Sequence, residues 1–154
     1  MKKIIMLVAL SLVVICLVVI TTNNDRLLGK FSRQLFFSKL PEKTTLIETQ
    51  SICGKLNGNG NSMDFFACIL IETDLDLYQI KDYYENIEFK RAKKERESPA
   101  RAQVVKLLSK KLETEYLVHR SIVFSSINEK PDFEKYFVVF IYDGGYSTFD
   151  IRGH

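Results

Sequence analysis

The sequence is poor in the residues that most often carry catalysis or bind metal ions. Tryptophan is absent, and the 154 residues include only two histidines, His119 and His154, and three cysteines. So few and such scattered sulfur and imidazole groups do not match the ligand spacing of a zinc site. The motifs of nucleophile-elbow hydrolases, zinc peptidases and dinucleotide-binding domains are missing as well. We therefore predict a non-enzymatic protein with no catalytic, cofactor-binding or metal-binding residues.

A strong excess of one charge is also lacking. The 22 lysines and arginines nearly balance 19 acidic residues, which leaves a formal charge of +3. This charge is too small to indicate a nucleic-acid partner, and we predict none. Apolar residues make up 46% of the chain and charged residues 27%, as in ordinary folded proteins.

The N-terminal segment contains a long run without charge, proline or glycine, from Ile4 to Ile20. Its length lies at the short end of what a membrane-spanning helix needs, and Thr21 and Thr22 extend it to the interface. The run is apolar on every side, whereas a soluble helix keeps a polar face. We predict that residues 1–24 form a signal-anchor or transmembrane segment that contacts the membrane through residues 4–20.

Cleavage of this segment is disfavoured by the residues that follow it. Signal peptidase prefers small residues in an A-x-A-like pattern, and Ile20 is followed by Thr-Thr-Asn-Asn-Asp. Lipidation at Cys16 is disfavoured because Ile15 stands where a small residue is expected. A retained anchor is our expectation, with cleavage and lipidation as the alternatives.

Orientation depends on basic residues that lie on both sides of the run. Lys2 and Lys3 favour a cytoplasmic N-terminus, whereas Arg26, Lys30 and Arg33 oppose it. A two-lysine start before a short apolar run is typical of export signals. We therefore expect a single-pass protein of the cell membrane with its domain outside the cytoplasm.

Residues 25–41 are predicted to be a juxtamembrane linker or amphipathic helix. Apolar residues recur there at helical spacing with basic residues between them. A basic amphipathic helix beside a membrane can lie on the lipid surface. The alternative is a helix that extends the anchor or packs on the domain.

Residues 42–154 are predicted to form one extracytoplasmic α+β domain. Thr44–Leu56 and Met63–Thr73 have strand composition, and Asn-Gly repeats over 57–61 predict a hairpin between them. The second strand is more continuously apolar and should be more central. Asp76 and Gln79 then suit a capping box at the start of a helix.

The second half of this domain contains a mixed-charge run over 88–101 and then more apolar segments. Ser98-Pro99 predicts the start of a second helix that continues to Leu112. Residues 116–127 and 133–142 read as strands separated by a turn over 128–132, with 138–142 interior, and 147–151 as a short edge strand. The predicted fold is a two-layer domain, an antiparallel sheet of four or five strands with one or two helices on one face.

Cys53 and Cys68 lie on either side of the Asn-Gly turn. A four-residue loop places them opposite each other, and a two-residue turn at Asn59-Gly60 pairs Cys53 with Phe66 instead. Both registers put the two sulfurs on one side of the sheet, so a cross-strand disulfide can form outside the cell. The alternative is two thiols packed as small apolar side chains.

Three stretches stand out for their sequence, namely residues 54–66, Tyr83-Tyr84 and the ending Asp-Ile-Arg-Gly-His at 150–154. Together they resemble a family of small uncharacterised membrane-anchored or secreted proteins of Gram-positive, clostridia-like bacteria. The resemblance covers about residues 40–154 and fits least well over 88–112. It implies a short chain with an N-terminal hydrophobic segment and one domain, and it implies no activity.

These observations favour a non-enzymatic, membrane-anchored interaction or accessory module of the bacterial cell envelope, with a protein or envelope-polymer partner. Two other hypotheses stay open. One is a small-ligand receptor or enzyme with a cleft near the Asn-Gly loop and the C-terminal end. The other is a binder of anionic lipid or polymer through the basic segments 26–39 and 90–111.

Overall fold

The computed structural model describes residues 2–58, 60–94, 97–127 and 133–154. The elements within these ranges are, in chain order, α1 (Lys2–Phe36), β1 (Thr44–Gly54), β2 (Met63–Thr73), α2 (Leu77–Glu85), β3 (Glu88–Phe89), β4 (Ala100–Lys106), β5 (Lys111–Leu112), β6 (Ile122–Val123) and β7 (Tyr136–Tyr146), with 3₁₀ turns at Phe133–Lys135 and Ile151–Gly153.

Five of these strands form one antiparallel sheet in the order β1-β2-β7-β4-β3. The α+β class and the antiparallel sheet of four or five strands predicted from the sequence are therefore confirmed, and the sheet has five. The central position of β2 and β7 also follows the prediction, because both strands carry continuous apolar runs that are buried on two faces.

Each face of the sheet has its own apolar cluster. Odd-numbered residues of β2, such as Phe65 and Ile69, pack against both helices through Phe31 and Leu35 of α1 and Ile80 of α2. Even-numbered residues of β2, such as Phe66 and Leu70, face the other way. Irregular chain and the small β5–β6 ladder supply the residues that cover this second face, among them Leu117, Ile122, Phe124 and Ile127.

The helix α1 has two parts with different surroundings. Its first part contains a window of mean hydropathy 3.3 with none of its residues buried, and it is long and apolar enough to cross a membrane. Its second part lies on the sheet, where Phe31 is 1% exposed and Leu35 is fully buried. The predicted helix over 25–41 is thus the continuation of α1 as far as Phe36, packed on the domain.

The start of α2 is as predicted. The Asp76 carboxylate accepts from the Gln79 backbone N–H at 2.9 Å, and the Gln79 side chain accepts from the Asp76 N–H at 3.0 Å. This reciprocal pair satisfies two of the backbone donors that the first turn of a helix leaves free.

The predicted helix from Ser98 to Leu112 is wrong, because this segment contains strand β4. Val104 pairs with Val139 of β7, and the residues of β4 alternate between the two clusters. The five apolar residues between 104 and 112 fit a helix stripe in isolation. The edge of β7 offers unpaired backbone groups, and pairing satisfies them.

Two predicted strands are also corrected. Of residues 116–127 only Ile122–Val123 is paired, and the predicted edge strand at 147–151 is a loop that leads into a 3₁₀ turn. The strand predicted over 133–142 is displaced to Tyr136–Tyr146. The predicted turn over 128–132 and Asn59 of the Asn-Gly repeat lie outside the described residues.

Candidate functional site

One end of the sheet lies beside the point in α1 where the exposed apolar part ends and the part that packs on the sheet begins. The 55–62 loop, the end of β7 and the chain's last residues, 147–154, meet there; we call residues 147–154 the C-terminal segment. Ser62 donates its N–H to the Gly153 carbonyl at 2.9 Å, and Lys55 donates to the Arg152 carbonyl at 2.7 Å. This end also holds three buried carboxylates, Asp64, Asp143 and Asp150, each at most 1% exposed.

Asp150 fastens the C-terminal segment to α1. Its Oδ2 accepts from the Asn24 side-chain amide at 2.9 Å, and Arg152 donates to both of its oxygens. The Arg152 guanidinium holds the pKa of Asp150 well below its usual range, against the opposite effect of burial. The same guanidinium bonds Asp25 at 2.6 Å and the Thr21 carbonyl at 3.1 Å. Three groups of α1 and two of the C-terminal segment thus form one network.

Asp64 holds the 55–62 loop. Its Oδ2 accepts from the backbone N–H groups of Leu56 and Asn57, and its Oδ1 accepts from Gly145 at 2.8 Å. The loop therefore folds over the start of β2, and the connection is longer than the tight Asn-Gly turn predicted from the sequence. The hairpin pairing of β1 and β2 is nevertheless as expected.

Asp143 holds the 90–99 loop. Arg91 donates to its Oδ1 at 2.8 Å, the Ala92 N–H donates to its Oδ2 at 2.8 Å, and the Tyr146 hydroxyl donates to the same oxygen at 2.6 Å. Arg91 also donates to the Ser98 carbonyl at 2.7 Å, which ties both ends of the loop together. All three buried carboxylates are thus occupied by protein donors, as structural carboxylates are.

A groove of about 1020 Å³ runs between α1 and the 90–99 loop. We call it the basic groove. Leu27, Ala92 and Pro99 supply partly exposed apolar surface next to the buried rings of Phe31 and Phe89. The Gln34 side chain bridges α1 to the backbone of Lys90 by two hydrogen bonds. Its charged lining consists of Lys30, Lys90, Arg91, Lys93 and Lys94, with Glu88 and Glu97 as the acidic members.

Electrostatics of the groove are dominated by lysines. Arg91 is neutralised by Asp143, whereas Lys30, Lys90 and Lys94 are exposed. The Lys93 ammonium lies over the Tyr146 ring, 5.1 Å from its centroid. This cation–π contact holds the ammonium at the groove wall. The groove therefore combines an apolar floor with several cations, a combination suited to an anionic amphiphile.

A second cavity of about 510 Å³ lies between α2 and β4. Tyr78, Lys81, Asp82, Glu85 and Arg101 line it, so its charges are mixed. Neither cavity is at the Asn-Gly loop and the C-terminal segment, where the receptor hypothesis places a cleft. The C-terminal segment packs directly on that loop instead.

Cys53 and Cys68 do not form the cross-strand disulfide that the sequence left open, because the register of the hairpin differs from the two predicted ones by an odd number of residues, three in one case and one in the other. Cys53 pairs with Phe65, and Cys68 pairs with Gln50. Such a shift moves a side chain to the other face, so the two free thiols lie in different clusters. Burial raises the pKa of Cys53 to about 11 and that of Cys68 to about 12.

The sequence reasoning missed Asp64 and Asp143. A signal was present, since each is a single carboxylate within or beside an otherwise apolar strand. Charged residues are rarely buried without partners, so such positions indicate a bonded carboxylate. Asp150 and Arg152 belong to the 150–154 stretch on which the resemblance rests, and the structure shows that Asn24 and Asp25 order them.

Comparison with known protein families, curated proteins and solved structures finds no match to this chain. Among the described residues, no group of three or more His, Cys, Asp or Glu side chains is placed to hold a metal ion. The function must therefore be inferred from the geometry of α1, the basic groove and the C-terminal segment.

Proposed function

We propose that this chain is a non-enzymatic, membrane-anchored accessory module of the cell envelope whose domain binds anionic lipid headgroups through the basic groove. Residues 4–20 lie in the bilayer, and the domain lies outside the cytoplasm. The observation that carries the proposal is that a single helix supplies both the bare apolar run and one wall of the basic groove.

Retention of the anchor is supported by contacts just beyond the apolar run. Arg152 bonds the Thr21 carbonyl, and Asn24 is 4% exposed against Asp150. Cleavage near these residues removes part of a network that orders the C-terminal segment. An uncleaved α1 is therefore the form that the domain's own packing favours.

The continuous helix sets the height of the groove above the bilayer. From Ile20 to Leu27, the first groove residue on α1, the helix rises roughly 10 Å. The headgroup region of one leaflet is about 5–8 Å thick. The groove therefore opens at the outer edge of the headgroups, and its height above the apolar run is fixed because no flexible linker separates the anchor from the domain.

The residues that line the groove indicate what kind of molecule it binds. Lys93 and Lys94 face this space beside an apolar floor, and lysines near an anionic membrane contribute about 1 kcal/mol each. A phospholipid with an anionic headgroup offers both the charge and the acyl surface. Lipid rather than soluble polymer is favoured because the groove opens close to the bilayer.

The test compares the full chain in vesicles of purely zwitterionic lipid with the full chain in vesicles that contain anionic phospholipid. A ligand that binds only the folded state raises the unfolding midpoint, so anionic vesicles should stabilise the domain. The double variant Lys93→Gln/Lys94→Gln should lose this difference, and added salt should reduce it in the parent.

The matched control is Lys110→Gln/Lys111→Gln, an adjacent lysine pair in the segment that covers the opposite face of the sheet. It changes the net charge equally and should keep the lipid dependence. Equal midpoints of the parent in both vesicles would refute lipid binding. Stabilisation by a soluble polyanion in zwitterionic vesicles, lost in the Lys93/Lys94 variant, would assign the groove to a polymer instead.

A further inference from the structure

The C-terminal segment carries two large apolar side chains that the domain does not cover. Phe149 is 84% exposed and Ile151 is 69% exposed, whereas Asp150 between them is fully buried. Single exposed apolar residues are common on protein surfaces. Here two of them flank a clamped carboxylate, so their backbone is held in place while both side chains stay free.

The position of these side chains relative to the bilayer follows from the network on α1. Arg152 reaches the carbonyl of Thr21, the residue directly after the apolar run, and Asp150 bonds Asn24 one turn later. Phe149 and Ile151 are therefore held within a few residues of the level at which α1 leaves the hydrocarbon.

From this placement we infer that the C-terminal segment is a second membrane contact, in which Phe149 and Ile151 insert into the lipid headgroup region beside α1. This inference rests on the proposed anchoring of residues 4–20. It adds a specific contact, in which lipid covers the apolar side chains on either side of the clamped Asp150. Burial of aromatic and aliphatic side chains at this boundary is favourable, as for other interfacial anchors.

Such a contact has a mechanical consequence. One helix alone leaves the domain free to tilt and to rotate about the helix axis. A second contact at the side of α1 restricts both motions. The basic groove, which lies on the same helix, then keeps a constant orientation toward the lipid surface.

The chain's lack of tryptophan allows a direct depth measurement, since each introduced tryptophan is the only one present. The variant Phe149→Trp replaces one exposed aromatic residue by another and should leave the fold intact. In vesicles of lipids brominated near the headgroup end of the acyl chain, we expect its emission to be blue-shifted and strongly quenched.

Two control variants distinguish the second membrane contact from the anchoring of residues 4–20. Tyr78→Trp is the matched negative control, because Tyr78 is 86% exposed and lies in α2, which follows the Thr73 end of β2 and packs on β4. The C-terminal segment lies at the other end of β2, where Ser62 bonds Gly153. The emission of Tyr78→Trp should stay unquenched. Leu17→Trp lies within the apolar run and should be quenched by deeper bromine labels.

Quenching of Leu17→Trp without quenching of Phe149→Trp would overturn the second contact and leave the anchor intact. Absence of quenching in both would refute the anchor and this inference together. Equal quenching of Tyr78→Trp and Phe149→Trp would show that the domain lies flat on the lipid, which also contradicts a contact restricted to the C-terminal segment. Quenching of Ile151→Trp to the same extent as Phe149→Trp is the further expected result.

Discussion

The side-chain amide of Asn24 donates a hydrogen bond of 2.9 Å to the Asp150 carboxylate, across 126 residues of sequence. Both groups are buried, at 4% and 0% exposure. The bond joins the helix that carries the apolar run to the C-terminal segment. Because of this bond, the C-terminal segment packs directly on α1, so the domain contacts the helix through residues far from it in the sequence.

Acidification should weaken the hydrogen bonds that join the Asp150 carboxylate to Asn24 and Arg152. The folded-state pKa of Asp150 lies below its unfolded value, because Arg152 donates to the carboxylate. The stabilisation is therefore complete above the unfolded pKa of about 3.9 and is lost as pH falls below it. We expect the unfolding midpoint of the full chain in zwitterionic vesicles to drop below about pH 4.

The variant Asp150→Asn separates this group from the other carboxylates. It should lose about 2 kcal/mol at neutral pH, the range of a hydrogen bond to a charged group, and it should show a smaller decline on acidification. Asp82→Asn, at an exposed position of α2, should behave as the parent does. An unchanged acid profile in Asp150→Asn would contradict the assignment.

The packed half of α1 should be essential for the domain. Phe31 is 1% exposed in the cluster beneath the helices, and truncation of a buried phenylalanine costs about 3–5 kcal/mol. Phe31→Ala should therefore lower the free energy of unfolding strongly in denaturant titrations. The control Phe37→Ala removes a side chain that is 83% exposed and should stay within about 0.5 kcal/mol of the parent.

Close approach of the C-terminal segment to the 55–62 loop requires glycine at position 153. A Cβ there would lie 2.3 Å from the Thr148 methyl carbon and 2.8 Å from the Ser62 carbonyl oxygen. Gly153→Ala should destabilise the protein by about 1–3 kcal/mol and should speed amide exchange of Ser62.

The matched substitution is Gly60→Ala in the same loop, where an added Cβ meets nothing within 4 Å. It should leave both the stability and the exchange of Ser62 amide hydrogen unchanged. Equal effects of the two substitutions would show that loop flexibility, rather than the approach of the C-terminal segment, controls this end of the sheet.

The cysteines should be reduced and slow to react. Burial raises the pKa of Cys53 to about 11 and that of Cys68 to about 12, so little thiolate exists near pH 8. Native protein should resist alkylation at both positions. After unfolding without reductant, mass spectrometry should find all three cysteines alkylated, whereas a disulfide would leave Cys53 and Cys68 unmodified until reduction.

Some parts of this fold could be predicted from local pattern. The apolar run of α1, the strands β1 and β2, the capping box of Asp76 and the interior position of β7 depend on composition and on neighbours a few residues away. Strand β4 could not be predicted in this way. Its apolar residues suit a helix equally well, and the free edge of β7 decides the outcome.

The register of the β1–β2 hairpin could not be predicted from local sequence either. Composition located both strands and the connection between them, but the Asp64 carboxylate shapes the 55–62 loop by accepting two of its backbone N–H groups. The observed register differs from each predicted one by an odd number of residues and places Cys53 and Cys68 on opposite faces. Because β2 is apolar and buried at nearly every position, its sequence has no period-two alternation that could indicate the register.

The sequence by itself therefore determined that this protein has a long apolar helix followed by an α+β domain whose first hairpin contributes a central apolar strand, because hydrophobic periodicity and run length act locally. Only the tertiary structure decided that α1 continues into the core, that Asp150 and Arg152 close the domain on Asn24 and Asp25, and that the lysines of the 90–99 loop face α1 across a groove. These relationships join residues far apart in the chain. Their free energy comes from apolar packing and from hydrogen bonds to buried carboxylates, which exist only when the chain has folded.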